Sequence, residues 1–365
     1  MTDGKRSKFC SNMCGRIVYV QEWLDDSPNM TAIRSERYII ALAIVFTVAL
    51  WIWYANYLKL STIGATMNKD NALHTNEKSG HIVDWTTVST RTSVNVVSPA
   101  LFDSRNETFE CKTTGLMNMT FPICHYTAET DDTVSGLLLR GTYFEADEVK
   151  RFLRLLCHDR RLQLIDIGAN VGLYSLPAAR VTHVLAIEPN WRSMSRLAKG
   201  VILGAVSSNI TLIHNAVSDV RATLNMGVHP SNQGNAFLIN TTKCKATPIN
   251  LPCNTLSPIR TILLNDLLPL MRVKAALLKV DVEGHEANIF TNPSAGQFFD
   301  QVDIPLVYME WNLCKRKSVD IVQRLLDFFY RRNYSAFDKD NLKLEKHYSI
   351  WPDNVFFTKL TYVHF

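Results

Sequence analysis

At 365 residues and 47% hydrophobic content the chain can bury one large core or two small ones. Its formal net charge is +5. Residues 1–37 hold six Lys/Arg against five Asp/Glu, a balance of +1, which leaves +4 for the rest. With no basic patch interleaved with aromatics, the composition argues against a nucleic-acid partner.

The first predicted element after the mixed-charge tail is Tyr38 to Leu58, 21 residues without a charge. At ~1.5 Å rise per residue it covers roughly 31 Å, the thickness of a hydrocarbon core. Trp51, Trp53, Tyr54 and Tyr57 crowd one end as an interfacial belt would. The expectation is a single-pass signal anchor; a buried core helix is the weaker alternative. Arg34 and Arg37 on one side and Lys59 on the other orient it only weakly. The sequons Asn106, Asn118, Asn209, Asn240 and Asn333 all follow the anchor, and only Asn29 precedes it. That distribution points to a type II membrane protein of the Golgi or endoplasmic reticulum with a lumenal domain. Six of the eight cysteines also follow the anchor. Sequence proximity suggests Cys111–Cys124 and Cys244–Cys253, leaving Cys157 with Cys314, one of fifteen connectivities. Cys10 and Cys14 lie in the tail, and no paired CxxC arrangement suggests zinc.

Residues 59–105 are rich in Ser, Thr and Asn and read as a stem, followed by a domain over 106–365. Phe121 to His125 and Leu137 to Leu139 are expected as strands of a lead-in hairpin. Asp147 to Leu156 has helical spacing in Val149, Phe152, Leu153 and Leu156. Strands are expected at Leu162–Ile167, His183–Ile187, Ile210–His214, Ala276–Val282 and Leu306–Met309. Helices are expected between them, among them Trp191–Lys199 and Val319–Tyr330. This alternation implies an α/β fold with a mostly parallel sheet, whose ligand site lies beyond the carboxyl ends of the strands. The segment 221–262 carries Gly, Pro, Cys244 and Cys253, and reads as a strand or hairpin followed by a disulfide-tied loop near the site.

Asp166-Ile-Gly168-Ala169-Asn170-Val-Gly172 follows the first of these strands. A dinucleotide fingerprint would need glycines at 168, 170 and 173; only Gly168 is present. Asp-x-Gly-x-Asn-x-Gly is instead the pattern of S-adenosylmethionine (SAM) loops. Its alternative is an ordinary strand-to-helix turn. The second strand ends in Glu188, placed to accept both hydrogens of a ribose diol. The third ends at Asn215 and Ala216, where an adenine could be bracketed. The fourth delivers Asp281, Glu283, His285 and Glu286. A hydroxyl acceptor needs a base, and Asp281, Glu283 or His285 could serve. Glu286 reads better as a helix N-terminal acid. Glu310 and Asn312 close the fifth strand, where oxygen ligands could join Asp281 on Mg²⁺ or Ca²⁺, or grip substrate hydroxyls.

These residues together resemble the FkbM family of SAM-dependent methyltransferases. The resemblance rests on the 166–172 turn, Ile187-Glu-Pro, Thr261 to Leu268, Leu278 to Glu286 and the Glu310 strand end. It implies a class I methyltransferase (Rossmann-like) fold with a seven-stranded sheet and O-methylation. By motif position it implies that Asp166, Gly168, Asn170 and Gly172 line the cofactor and Glu188 binds ribose. Asp281 and Glu283 would then face the acceptor. His285 and Asn265 depart from the family pattern, and the cysteine-bearing insertion is an addition. The expected function is a lumenal O-methyltransferase acting on glycans, with dimerisation through the stem left open. The alternatives are a non-catalytic cargo-binding protein that keeps the fold, and a Golgi glycosyltransferase.

Overall fold

The computed structural model describes residues 94–100, 109–239, 254–345 and 347–362. The expected anchor 38–58, Cys10, Cys14, Cys244 and Cys253 lie outside the described residues. Among the described residues no helix is long and apolar enough to cross a membrane.

The chain begins with strands β1 (Val96–Val97), β2 (Cys111–Leu116) and β3 (Met119–Cys124), then helices α1 (Val134–Leu139) and α2 (Ala146–His158). The alternating part follows: β4 (Gln163–Ile167), α3 (Ser175–Ala178), β5 (Val184–Ile187), α4 (Trp191–Leu203), β6 (Ile210–Ile213) and β7 (Ala216–Val217). An inserted layer holds β8 (Thr223–His229), β9 (Asn232–Ile239) and β10 (Asn254–Ile262). The chain then forms β11 (Ala276–Val280), α5 (Glu286–Thr291), α6 (Pro293–Gln301) and β12 (Leu306–Glu310). It ends with α7 (Val319–Tyr330), β13 (Tyr334–Phe337) and β14 (Asn354–Lys359).

The main sheet has eight strands in the order β1-β6-β5-β4-β11-β12-β14-β13. Neighbours from β6 to β12 are parallel, whereas β14 runs antiparallel to both β12 and β13. The order reverses between β4 and β11, so the cleft of a doubly wound sheet is expected there. All five predicted parallel strands form within two residues of expectation. Their residues are buried on both faces, which is why they read as continuous apolar runs. Helices form where the apolar period is 3.6: α2 buries Val149, Phe152, Leu153 and Leu156. At the start of α4 the Asn190 side chain accepts from Arg192 N at 3.1 Å.

Strand alternation decides which residues reach the site. Ile165, Ile167, Leu278, Val280, Val307 and Met309 join the core under α5, α6 and α7. Asp166, Lys279 and Tyr308 therefore face the opposite side. Register aligns them, Lys279 pairing with Asp166 on one flank and Tyr308 on the other. Phe152 of α2 covers this row, its ring 5.4 Å from Tyr174 and 6.1 Å from Tyr308.

Several expectations are corrected. The sheet has an eighth strand because Val96 and Val97, inside the expected stem, pair antiparallel with Ile213 and Leu212. Leu137–Leu139 is helical. Asp131 accepts from Val134 N and Ser135 N, satisfying the free donors at the start of α1. The hairpin partner of β3 is β2, and Cys111–Cys124 is a disulfide joining residues in direct register. Cys157 is disulfide-bonded, but not to Cys314, which is a free buried thiol. The expected hairpin in 221–262 is present as β8–β9, within a four-stranded sheet β7-β10-β8-β9.

Candidate active site

The turn after β4 requires left-handed backbone at Gly168 (φ 82°), Asn170 (φ 48°) and Gly172 (φ 96°). Gly168 and Ala169 N–H donate to Ile187 O at 2.9 and 3.0 Å, which ties the turn to β5. A Cβ on Gly168 would stand 1.8 Å from the carbonyl oxygen of Asp281, so only glycine lets the turn touch the end of β11. Glu188, 4% exposed, holds the turn from its other side. One of its oxygens accepts from Asn170 N and the other from Asn190 N, both at 2.7 Å. Burial pushes this carboxyl up to about 7.

Beneath the turn lies a buried cation. Lys279 Nζ donates to Gly168 O at 2.7 Å, and stands 3.6 Å from Asp166 and 3.3 Å from Asp281. Burial opposes its charge, but Asp281, Asp166 and Glu145 outweigh burial and hold it protonated. Asp166 itself is completely buried and accepts from Ser175 Oγ at 2.6 Å. It supports the turn from below and is not part of the cleft lining. Gly172 is likewise a packing position: a Cβ there would meet Leu197 at 2.5 Å.

The end of β11 is a second left-handed turn, with Glu283 at φ 56° and Gly284 at φ 89°. Glu286 braces it by accepting from Val282 N and Gly284 N, the structural role expected of that acid. Carboxylate oxygens of Asp281, Glu283 and Glu310 come within 4.8 Å of one another, a group with the spacing to hold a metal ion. Burial, then Asp281, pushes Glu283 and Glu310 well above the usual carboxylate range. His285 does not join them. Its Nε2 meets Ser218 Oγ at 2.9 Å, and burial lowers it to about 4, keeping the ring neutral. Asn312 also stands apart, accepting from Arg316 at 3.0 Å.

These raised acids predict a pH dependence. Each keeps its proton in the folded chain at a pH where the unfolded chain has lost it. Their contribution is fully present below the ordinary carboxylate range and is lost as pH rises. The melting temperature is expected to fall from pH 5 to pH 8. Glu310 Oε2 is buried without a partner among the described residues. Glu310→Gln should therefore flatten the profile and stabilise the protein at pH 8 by about 1–3 kcal/mol. An unchanged slope in thermal melts would refute this.

Gly168, Ala169, Asn170, Glu188, Asn215, Ala216, Asp281 and Glu283 all line one open cleft at the switch point. Asn215 contributes through its backbone position, since its side chain is spent on Asn95 N and Arg260 O. Gly234, Ala236 and Leu238 of β9 complete the wall. Sequence reading overlooked Lys279 and Glu145, which line the same cleft. A lysine within a fully apolar strand was a visible signal for the first. Nothing marked Glu145, whose burial, reinforced by Asp281, pushes its carboxyl up to about 7.

Comparison with known proteins bears on this site. Residues 166–336 match the family model of the methyltransferase FkbM domain. No curated protein sequence matches the chain. Among solved structures the chain is similar to the methyltransferase FkbM from Methylobacillus flagellatus KT, at 15% identity and a TM-score of 0.34. That alignment covers 54% of this chain and only 43% of the other. It is also similar to a SAM-dependent O-methyltransferase from Thermotoga maritima (10% identity, TM-score 0.31), over 59% of this chain and 65% of that one. A third is the O-methyltransferase from Bacillus cereus in complex with SAH (11% identity, TM-score 0.30), over 63% of this chain and 91% of that one. The fold is defined by the strand order, not by these likenesses. The family match over residues 166–336 takes in both the glycine turn after β4 and the turn after β11, and spans less than half of the chain.

Proposed function

We propose that the domain transfers a methyl group from SAM to a hydroxyl of a glycan or glycoconjugate. The observation that carries this reading is the contact between two strand ends. The glycine turn held by Glu188 touches the turn bearing Asp281 and Glu283 through Gly168. The residues suit the cofactor. Each Glu188 oxygen accepts one backbone hydrogen and keeps a second lone pair for a diol. The cleft lining sets Glu145, Glu188 and Asp281 against one lysine, an acidic balance that favours a cationic ligand. SAM supplies the electrophilic methyl on its sulfonium.

The chain's own residues supply alignment and proton transfer. Asp281, fixed by Lys279, is placed to take the acceptor's proton. Glu283 and Glu310, held protonated, act as donors to neighbouring hydroxyls of the acceptor. His285, bonded to Ser218, lies away from the cleft lining and leaves this task to the carboxylates. A second reading of the trio is a Mg²⁺ or Ca²⁺ site, favoured by its 4.8 Å spacing and the partnerless Glu310 oxygen. Asn312 is not one of that group.

We further propose the type II lumenal arrangement with residues 38–58 as anchor. Its support is sequence hydropathy and the sequons. Asn118 and Asn333 are exposed on left-handed turns, whereas Asn209 donates its side-chain amide to Ala179 O at 2.9 Å. Asn118 and Asn333 should carry glycans and Asn209 should not. A glycosidase that leaves the mobility of the secreted-pathway protein unchanged would overturn the lumenal placement.

The test of activity is incubation of the full chain in detergent with methyl-labelled SAM and a glycan panel, with and without Mg²⁺ or Ca²⁺. Label transfer that disappears in Asp281→Asn is expected. Calorimetry showing no SAM binding would overturn the reading, and activity unmoved by chelator would exclude the metal variant.

A further inference from the structure

The cleft contains an acid that no part of the matched family segment accounts for. Glu145 precedes the match by 21 residues (166 − 145). It occupies the position before α2 on left-handed backbone, φ 54°, which non-glycine residues seldom adopt. An acid there commonly caps its own helix. This one makes no capping bond and turns away from α2.

Three neutral donors from separate elements hold it. Tyr308 Oη of β12 and Asn354 Nδ2 of β14 donate to Oε1 at 2.9 and 3.0 Å. Tyr174 Oη, beyond the glycine turn, donates to Oε2 at 2.8 Å. A carboxylate offers about four acceptor positions, so Oε1 is filled and Oε2 keeps one. The three donors are themselves buried or half-buried, so the carboxylate is fixed in direction as well as place.

The strand order says what that remaining position meets. The adenosine-side residues Asn215 and Glu188 follow β6 and β5, and Glu145 is bonded to β12 and β14. From β5 to β12 is three strand spacings, roughly 14 Å at about 4.8 Å each. Glu188, Gly168 and Glu145 line one cleft, so an extended adenosyl amino acid held by its ribose at Glu188 would have Glu145 within reach of its amino-acid end. Lys279, Asp281, Tyr174 and Tyr308 surround that end.

We infer that Glu145 is a cofactor-binding residue whose free Oε2 position accepts a hydrogen bond from the ammonium of the cofactor's amino-acid portion. This rests on the SAM-binding reading above and extends it to a residue outside the family match. A charge-assisted bond of this kind pairs the surplus acid with a cation and leaves Asp281 for the acceptor.

The test is calorimetry on the full chain in detergent with three ligands: SAM, S-adenosylhomocysteine and 5′-methylthioadenosine. The first two carry the ammonium and the third lacks it. Glu145→Gln should weaken the first two roughly tenfold and leave the third within about twofold. Glu145→Asp, which keeps the charge but withdraws it, should show the same selectivity with a smaller loss. Equal weakening of all three ligands, or of none, overturns the inference while wild-type binding of SAM preserves the proposed function. If the wild type binds none of the three, both fall.

Discussion

Gly168→Ala is expected to abolish SAM binding and to lower stability by about 3 kcal/mol or more. The new Cβ would lie 1.8 Å from the Asp281 oxygen and 2.9 Å from its carbonyl carbon. Both atoms are backbone, so no side chain can rotate away. Overpacking of this sort costs about 1–3 kcal/mol, and the positive φ adds about 1–2 kcal/mol for an L-residue. Relief requires the β4 turn and the β11 turn to separate, which dismantles the cleft where its halves meet. Gly141→Ala is the control. Gly141 also has positive φ, 87°, but a Cβ there meets nothing within 4 Å. It should show the backbone cost alone, with SAM affinity intact. Calorimetry and thermal melts on both variants decide the matter; equal effects would mean that the steric argument is wrong.

Lys279→Met is expected to destabilise the domain by about 3–5 kcal/mol, the loss typical of breaking a buried ion pair on one side. Asp166, wholly buried, would keep only Ser175 as its partner. Gly168 O would also lose its donor. The sign of the pH effect follows. Burial already raises Asp166 above the usual carboxylate range, and removing Lys279 raises it further. The proton is then retained in the folded state and lost in the unfolded one, so the variant suffers more as pH rises. The deficit should be smaller at pH 5 than at pH 8. Adding Asp166→Asn should recover part of it, since the two residues share one interaction. Additive effects across this double-mutant cycle would show that the pair is not coupled.

The parallel strands and the glycine turn were legible because their physics is local. Strands buried on both faces must be apolar throughout, and the turn needs glycine where φ is positive. Glu188, Asp281 and Glu283 follow from strand ends and converge in the cleft. Other features depend on contacts between distant segments. Leu137–Leu139 reads equally as strand or helix, and only the Asp131 cap distinguishes them. Val96–Val97 is too short to signal a strand; its pairing is supplied by the open edge of β6. His285 reads as catalytic from proximity to Asp281, yet the left-handed turn at Glu283 and Gly284 directs it to Ser218. Cysteine pairing by elimination failed because proximity in sequence carries no information about Cys157 or Cys314. Glu145 owes its place to Tyr308 and Asn354, 163 and 209 residues away.

The lacing of loops onto neighbouring strands also governs how the cleft can open. Gly168 and Ala169 N–H bond to β5, Glu188 N–H to β6 and Asp281 N–H to β4. Each wall residue is thus pinned by the strand next to its own, and freeing one means unzipping part of the central sheet. Exchange of these amides with solvent belongs to the rarest openings of the molecule. Hairpin β8–β9 is fastened outside the main sheet: Gln233 N–H donates to Thr130 O at 2.7 Å and Asn190 Nδ2 donates to Gln233 O at 3.0 Å. Seven of the eight residues of β9 are only half-buried, and its tip reaches the cleft at Gly234 beside Asn170. Loosening this wall of the cleft therefore means breaking its bonds to the segment before α1 and to the start of α4, and requires no unzipping of the central sheet.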